Sequence, residues 1–426
     1  MIGRRVPPAY APIAPLAGLG RGGDPTRRLR ERLLERFAAA DARLAGSGTQ
    51  ALRLAVRAAL DASGHSTPPA SPARGTGPLV AIPAYTCYDV AAAVLAETGR
   101  VACFDVDPET LAPDAGSVER VLASGPSVVV VSPLFGVPVP WEALEAAVRN
   151  AGAVLVEDAA QGHGASWGGR PLGALGSLSV VSFARGKGWT GGAGGAVLAR
   201  SGAADALRSL GELPEPPRGR AAGVVLAGIG QWTLGRPALY GIPASLPWLR
   251  LGETVYRPAP PPEAMPDVAA RMALAGEDAA DVEAEVRRRR AAWLRSRVPS
   301  GLLVRPPRGG TPGWLRLPIR LGEGTEALPR DVLQAGLAPA YPRALPDLPQ
   351  VRPALEGAGG PWPGAERLAR ELVTLPTHSL LRRNDAERVL RWVDSRDREA
   401  RPRTVQPRHE RAGAGGTPVA HEDSRE

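Results

Sequence analysis

Lysine is almost absent from this 426-residue chain: of its 52 basic residues Lys187 alone is a lysine, and the rest are arginines. Arginine serves for surface charge, but its guanidinium cannot be deprotonated in a protein or form a Schiff base with a carbonyl. A position that keeps lysine against such a drift is one that needs a primary amine. Cysteine is nearly missing too: Cys87 and Cys103 give no disulfide framework and no metal-ligand spacing. That pattern predicts a reducing, cytoplasmic setting and no metal site. No run of about 20 apolar residues is present, which excludes a helical bilayer span. Arg4 and Arg5 precede a stretch broken by prolines, unlike a secretory signal. Aromatics make up 4% of the chain and Asn occurs only at positions 150 and 384.

What is there is enough to fold. Apolar residues make up 44%, and the length suits one large domain with a smaller one. The net charge of +9 does not signal nucleic acid, because the arginines are dispersed and opposed by 43 acidic residues. Their densest run, Arg287 to Arg290, lies within a helical pattern and reads as a solvated face.

Residues 1–25 are rich in Pro, Gly and Ala without periodicity and read as an irregular arm. A helix starts near Thr26, and a second follows Gly46-Ser47-Gly48-Thr49. Residues 63–78 read as a flexible connection. Short apolar strands then alternate with helices: strands at 79–82, 101–104, 128–131, 153–156, 178–183 and 196–198, helices at 89–97, 117–123 and 141–150. Fully apolar strands separated by helices predict a mostly parallel sheet covered on both faces. Ligands bind such sheets beyond the carboxyl ends of the strands. Asp158 and Lys187 each lie just past such an end.

Residues 221–235 carry no charge and read as a buried helix, with a lid, a subunit contact or a membrane-surface patch as alternatives. A long charged helix is predicted at 268–298, a strand at 315–321, and helices at 365–371 and 385–394. Together they suggest a smaller α+β domain. The expected division is an arm at 1–25, a large domain at 26–255, a small C-terminal domain at 256–396 and a disordered tail at 397–426.

Four segments share one chemical account. Gly46-Ser47-Gly48-Thr49 opens a helix, whose free N–H groups can cradle phosphate. Glu157-Asp158 to Gly164 puts a carboxylate at a strand end. Ser182 stands five residues before Lys187, and Gly191-Gly192-Ala193-Gly194-Gly195 permits close backbone approach. A phosphate cradle, a strand-end aspartate and a unique lysine are what pyridoxal 5'-phosphate (PLP) needs.

These segments resemble the DegT/StrS family of PLP-dependent sugar aminotransferases, of the aspartate-aminotransferase fold type I. The likeness runs from about Thr26 to Val393 and includes Gly48-Thr49-Gln50-Ala51-Leu52, Pro83-Ala84-Tyr85-Thr86, Phe104-Asp105-Val106-Asp107 and the Glu157–Gly164 motif. It continues through Ser182-Phe183 with Lys187 to Leu375-Pro376-Thr377-His378. The resemblance implies an α/β fold with a large PLP-binding domain, its mostly parallel mixed sheet sandwiched by helices, and a smaller C-terminal α+β domain. It implies that Lys187 is the Schiff-base lysine and acid–base catalyst, and Asp158 the partner of the pyridine nitrogen. Gln161 would lie against the cofactor's 3'-oxygen. Thr49, the amides around Gly48 and Gln50, and Ser182 would bind the phosphate. His163 is in the position that faces substrate, and His378 either orders the small domain or touches substrate. The implied reaction moves an amino group from glutamate or glutamine to a keto-sugar, nucleotide-linked, in polysaccharide or secondary-metabolite biosynthesis. The implied assembly is a homodimer with the active site near the subunit interface. A PLP enzyme acting on a non-sugar ketone, and a non-catalytic binding or regulatory protein, are the alternatives.

Three departures accompany the likeness. The ring-stacking aromatic of the family is replaced by Cys87, with Tyr88 next to it. Ala193 stands where the family's glycine turn carries glutamate. Pro260-Pro261-Pro262-Glu263 stands where the family has an asparagine reaching the partner's phosphate. Arg185, between Ser182 and Lys187, is either a surface charge or a cation that receives a substrate anion.

Overall fold

The structure is a computed structural model and describes residues 4–20, 22–65, 77–246, 254–322, 328–357 and 360–400. Eight strands form one sheet: β1 (Asp41–Ala45), β2 (Val80–Pro83), β3 (Val101–Phe104), β4 (Val128–Val131), β5 (Val154–Asp158), β8 (Leu178–Ser182), β9 (Gly195–Ala199) and β13 (Leu355–Glu356). Short β6 (Ser166–Trp167) and β7 (Arg170–Pro171) lie between β5 and β8 in the chain and pair with each other, and β6 also pairs with β10 (Gly310–Thr311). The large sheet runs β1-β9-β8-β5-β4-β2-β3-β13. All pairs from β8 to β13 are parallel, and β9 is antiparallel to both neighbours. The expected mostly parallel mixed sheet is therefore present. Its strands are apolar throughout because both faces are covered: β4 is four buried valines. A three-stranded antiparallel sheet, β11 (Leu317–Arg320), β14 (Leu372–Leu375) and β12 (Ala338–Pro339), stands apart.

Twelve helices accompany the strands among the described residues. They are α1 (Pro25–Phe37), α2 (Gly48–Ala62), α3 (Tyr88–Leu95), α4 (Ala115–Leu122), α5 (Trp141–Asn150), α6 (Ala204–Ser209), α7 (Arg220–Leu234), α8 (Gly241–Ala244), α9 (Asp267–Arg295), α10 (Arg330–Gln334), α11 (Pro363–Glu371) and α12 (Arg383–Ala400). Local chemistry sets their starts. Asp24 caps α1 by accepting from the Arg27 N–H at 2.8 Å, with proline at the first position. Ser47 caps α2 by accepting from the Gln50 N–H at 3.2 Å. In α9 the buried positions are mostly small, Ala269, Ala270, Ala273, Gly276, Ala280 and Ala284, so the helix lies close on its neighbours. A Cβ at Gly191 would meet the Ala269 carbonyl at 2.4 Å, and one at Gly164 would meet the Ala284 Cβ at 2.8 Å. Arg32 and Arg36 of α1 clamp the same helix through Glu277, with Arg36 also on Asp281 at 2.6 Å.

Several expectations meet a different outcome. Strands β1 and β13 were not expected, because Asp41-Ala-Arg-Leu-Ala reads as neither alternating nor continuously apolar. The segment at 221–235 is helical, as α7, but not a buried helix. Only Val224, Val225 and Gly228 are enclosed, while Leu226 is 69% exposed and Trp232 49%. Its apolar composition therefore serves two faces, one of them open. The arm contains a short 3-10 turn at Pro15–Leu19. Helix α12 runs past 397 to Ala400; the rest of the expected tail, and residues 66–76 of the expected flexible connection, lie outside the described residues.

Candidate functional site

Asp158 ends β5 and pairs in register with Val180 of β8. Chain reversal after β8 carries the backbone through Ser182 to Lys187, whose N–H donates to the Ala184 carbonyl at 3.3 Å. The two side chains therefore emerge at the carboxyl ends of adjacent parallel strands. Burial pushes the Asp158 carboxyl above its ordinary range. The Lys187 cation, the Ala160 N–H at 3.1 Å and the Ser132 hydroxyl at 3.2 Å oppose that shift. Asp158 and Lys187 thus form an electrostatic couple in a desolvated place. Glu157 beside it points the other way. It is fully buried and accepts from the Ser179 hydroxyl and the N–H groups of Gly173, Leu175 and Gly176 at 2.7 to 3.3 Å, which fixes the loop after β5.

The start of α2 meets the end of β8 at Gly48. A Cβ there would lie 2.6 Å from the Ser182 Oγ, so glycine is required for the two segments to touch. Thr49 and the first amides of α2 lie in the same corner. Close packing behind it is equally strict, since a Cβ at Gly195 would meet the Gly48 Cα at 2.7 Å. The proline segment before α9 closes over the corner from the same chain. Gly46 donates to the Glu263 carbonyl at 2.9 Å, and the Gln50 amide to the Pro261 carbonyl at 2.6 Å. Gln50 is thereby engaged in holding this loop.

Cys87 caps α3 next to the couple. Burial raises its thiol to about 12, with Asp89 adding and Lys187 opposing, so it is a neutral, weakly reactive group. Tyr88 is buried and turned away, its hydroxyl accepting from the Arg343 N–H at 3.1 Å. Gln161 is held on both sides: its Oε1 accepts from the Phe135 N–H at 3.0 Å and its amide donates to the Tyr341 hydroxyl at 2.8 Å.

Tyr341 was missed in the sequence. It stands among Tyr85, Tyr88 and Phe135, stacked on the last with centroids 6.1 Å apart. In a chain with 6 Tyr and 4 Phe this gathering is the signal, but the sequence scatters it over more than 250 positions. Burial holds its phenol well above the ordinary value.

The two histidines lie elsewhere. His163 is turned into α9, between Arg287 at 3.2 Å and Asp281 at 3.2 Å, and beside Trp189. Burial lowers its pKa, and Asp281 opposes this. His378 is fully buried, with Nε2 at 2.8 Å from the Pro7 carbonyl and its ring 5.8 Å from that of Tyr10. It therefore ties the N-terminal arm to the body. Arg185 is exposed on the rim of a cleft that the arm, α7 and α8 enclose. Among the described residues no cluster of His, Cys, Asp and Glu could hold a metal ion, and no helix is long and apolar enough to cross a membrane.

Could the site hold a phosphorylated pyridine aldehyde? The donor set fits: a primary amine, a carboxylate raised by burial and steadied by a cation, and a helix start where any side chain at Gly48 would collide.

Comparison with known proteins gives the same direction. Residues 17–211 match the model of the DegT/DnrJ/EryC1/StrS aminotransferase family. The chain is 34% identical over 184 residues to L-glutamine:2-deoxy-scyllo-inosose aminotransferase of Streptomyces lividus, covering 43% of this chain and 38% of that protein. It is 29% identical over 177 residues to 3-amino-5-hydroxybenzoate synthase of Amycolatopsis mediterranei, covering 42% of each. The alignments thus span well under half of these curated relatives' length. In fold, the aminotransferase TlmJ from Streptoalloteichus hindustanus superimposes with a TM-score of 0.66 at 23% identity, over 93% of this chain and 99% of that one. The architecture is that of a fold type I transferase.

Proposed function

We propose, for a chain whose residues 17–211 belong to the DegT/DnrJ/EryC1/StrS aminotransferase family, that it is a PLP-dependent aminotransferase. It takes an amino group from glutamate or glutamine and gives it to a nucleotide-linked keto-sugar. The observation that carries this reading is the coupling of the only lysine to a half-buried strand-end aspartate.

Pyridoxal phosphate, when bound, supplies the electron sink that stabilises negative charge at the substrate carbon. The chain's own residues do the rest. Lys187 would hold the cofactor through its amine and, once freed, carry a proton at Nζ to and from the reacting carbon. Asp158 would keep the ring nitrogen protonated by facing it with a carboxylate. Gly48, Thr49 and Ser182 would seat the phosphate at the positive end of α2. Cys87 would lie on the ring face as a compact neutral group, and Gln161, held by Phe135 and Tyr341, would orient the ring oxygen.

The reading includes a cytoplasmic homodimer and a division into residues 26–255, which carry the cofactor, and 256–396. The open apolar face of α7 borders the cleft, and a second copy would cover it. A second reading of the acceptor, a ketone that is not nucleotide-linked, draws on the Streptomyces lividus relative, whose name specifies 2-deoxy-scyllo-inosose.

Protein reconstituted with PLP should absorb at about 410–430 nm, and glutamate or glutamine should discharge that band. Lys187→Arg should abolish the band while leaving the thermal melt in place. An unchanged band in that variant would sink the assignment. A band that no amino donor discharges would favour a binding protein.

A further inference from the structure

Beside the loop that carries Lys187 lies a cleft of about 480 Å³, with Arg185 and Gly186 on one wall, the arm at Pro7–Tyr10 on another, and α7 and α8 on a third. Arg316 completes it. The backbone here is pinned from both sides, since the Thr377 hydroxyl donates to the Trp314 carbonyl at 2.6 Å and Gly313 donates to the Gly136 carbonyl at 2.8 Å. Arg316 is half-buried in this wall and, among the described residues, no hydrogen bond or ion pair holds its guanidinium. Burial lowers its pKa, and the phenols of Tyr341 and Tyr240 oppose that shift. Four residues on, Arg320 shows the usual remedy: it is buried and takes the Glu109 carboxylate at 2.6 Å. Among the described residues Arg316 has no such carboxylate, and no Asp or Glu lines the cleft. A partly desolvated guanidinium with no carboxylate beside it is free to take one from a ligand. A planar fork of N–H donors matches the paired oxygens of a carboxylate or phosphate.

We propose that Arg316, backed by Arg185 at the cleft mouth, is the seat for an anionic oxygen group of a substrate. This inference rests on the aminotransferase reading. Two sources offer that chemistry: the carboxylate of the amino donor and the phosphate of a nucleotide-linked acceptor. His378 reinforces the seat indirectly, since it fixes Pro7 and packs at a tilt against Tyr10, which together form the arm's wall.

Isothermal titration of the PLP-loaded full-length protein tests it with two unreactive probes, glutarate for the carboxylate and pyrophosphate for the phosphate. The wild type should bind at least one. Arg316→Gln should weaken that probe by at least about tenfold, and Arg316→Lys, which keeps the charge but loses the fork, by less. The probe that responds identifies the source. The melting curve and the visible band should be those of the wild type in both variants; if the glutamine variant fails to fold, the lysine variant still reports, and a glutarate or pyrophosphate affinity unchanged in it overturns the proposal. So does a wild type that binds neither probe. If the wild type lacks the visible band yet its probe affinity still depends on Arg316, the cofactor reading falls while the anion seat stands.

Discussion

At the scale of single residues, His378 makes the sharpest statement about pH. It is sealed in the interior against the Pro7 carbonyl, and burial holds its pKa at about 4 against an ordinary 6.5. The folded state therefore refuses a proton that the unfolded chain accepts. Stability from the neutral ring is complete above about pH 6.5 and is lost as pH falls toward 4, by about 3 kcal/mol in all. Urea melts across that window should be flatter for His378→Gln than for the wild type, and parallel curves would contradict the burial argument. His163 is depressed in the same sense, so the difference between variant and wild type is the quantity to read. Lys187 was legible in the sequence for a chemical reason: a composition that replaces lysine elsewhere has kept one amine. Tyr341 was not, because nothing local distinguishes it; its role comes from Tyr85, Phe135 and Gln161, which only the fold brings to it.

At the scale of elements, the contact between α2 and β8 decides whether the proposed phosphate corner exists. Gly48→Ala places a methyl 2.6 Å from the Ser182 Oγ and 2.7 Å from its Cβ. One segment must retreat. Apparent PLP affinity, followed by the visible band, should fall by about tenfold or more, with a loss of about 1–3 kcal/mol in stability. Unchanged titration would show that the corner does not receive the phosphate. Central strands were readable because complete burial leaves a run such as Val128–Val131 no alternative. Edge strand β1 was not: it borrows order from β9, its register running from Asp41↔Ala199 to Ala45↔Gly195. For α7 the composition misled, since an uncharged helix reads as buried whether its second face meets protein or nothing.

For the whole molecule, the proposed homodimer makes a prediction about that face. Leu226, Ile229 and Trp232 stand exposed together on α7, with Arg236 stacked 5.3 Å above the indole of Trp232. Light scattering should give twice the 44.4 kDa chain mass. Trp232→Asp should shift the population toward the single chain while leaving the secondary structure unaltered. A variant that stays dimeric would place the contact elsewhere. The run Arg287 to Arg290 was read as a solvated face, but Arg287 is fully buried because it faces the body from α9, and other arginines are engaged by Glu277, Asp281, Glu97 and Glu109.

The order in which the chain leaves the ribosome meets a constraint at β13. Leu355 and Glu356 pair with Val101 and Ala102 at the margin of the large sheet, and Trp362 then donates to the Cys103 carbonyl at 2.6 Å while Asp105 receives the N–H groups of Gly364 and Ala365 at 2.8 Å. Some 250 residues of synthesis separate the two halves of this seam. Until the later half emerges, β3 presents an edge of unpaired amides and carbonyls to solvent, the kind of surface on which nascent chains stick to one another. The last quarter of the polypeptide is thus a hem that finishes the first sheet.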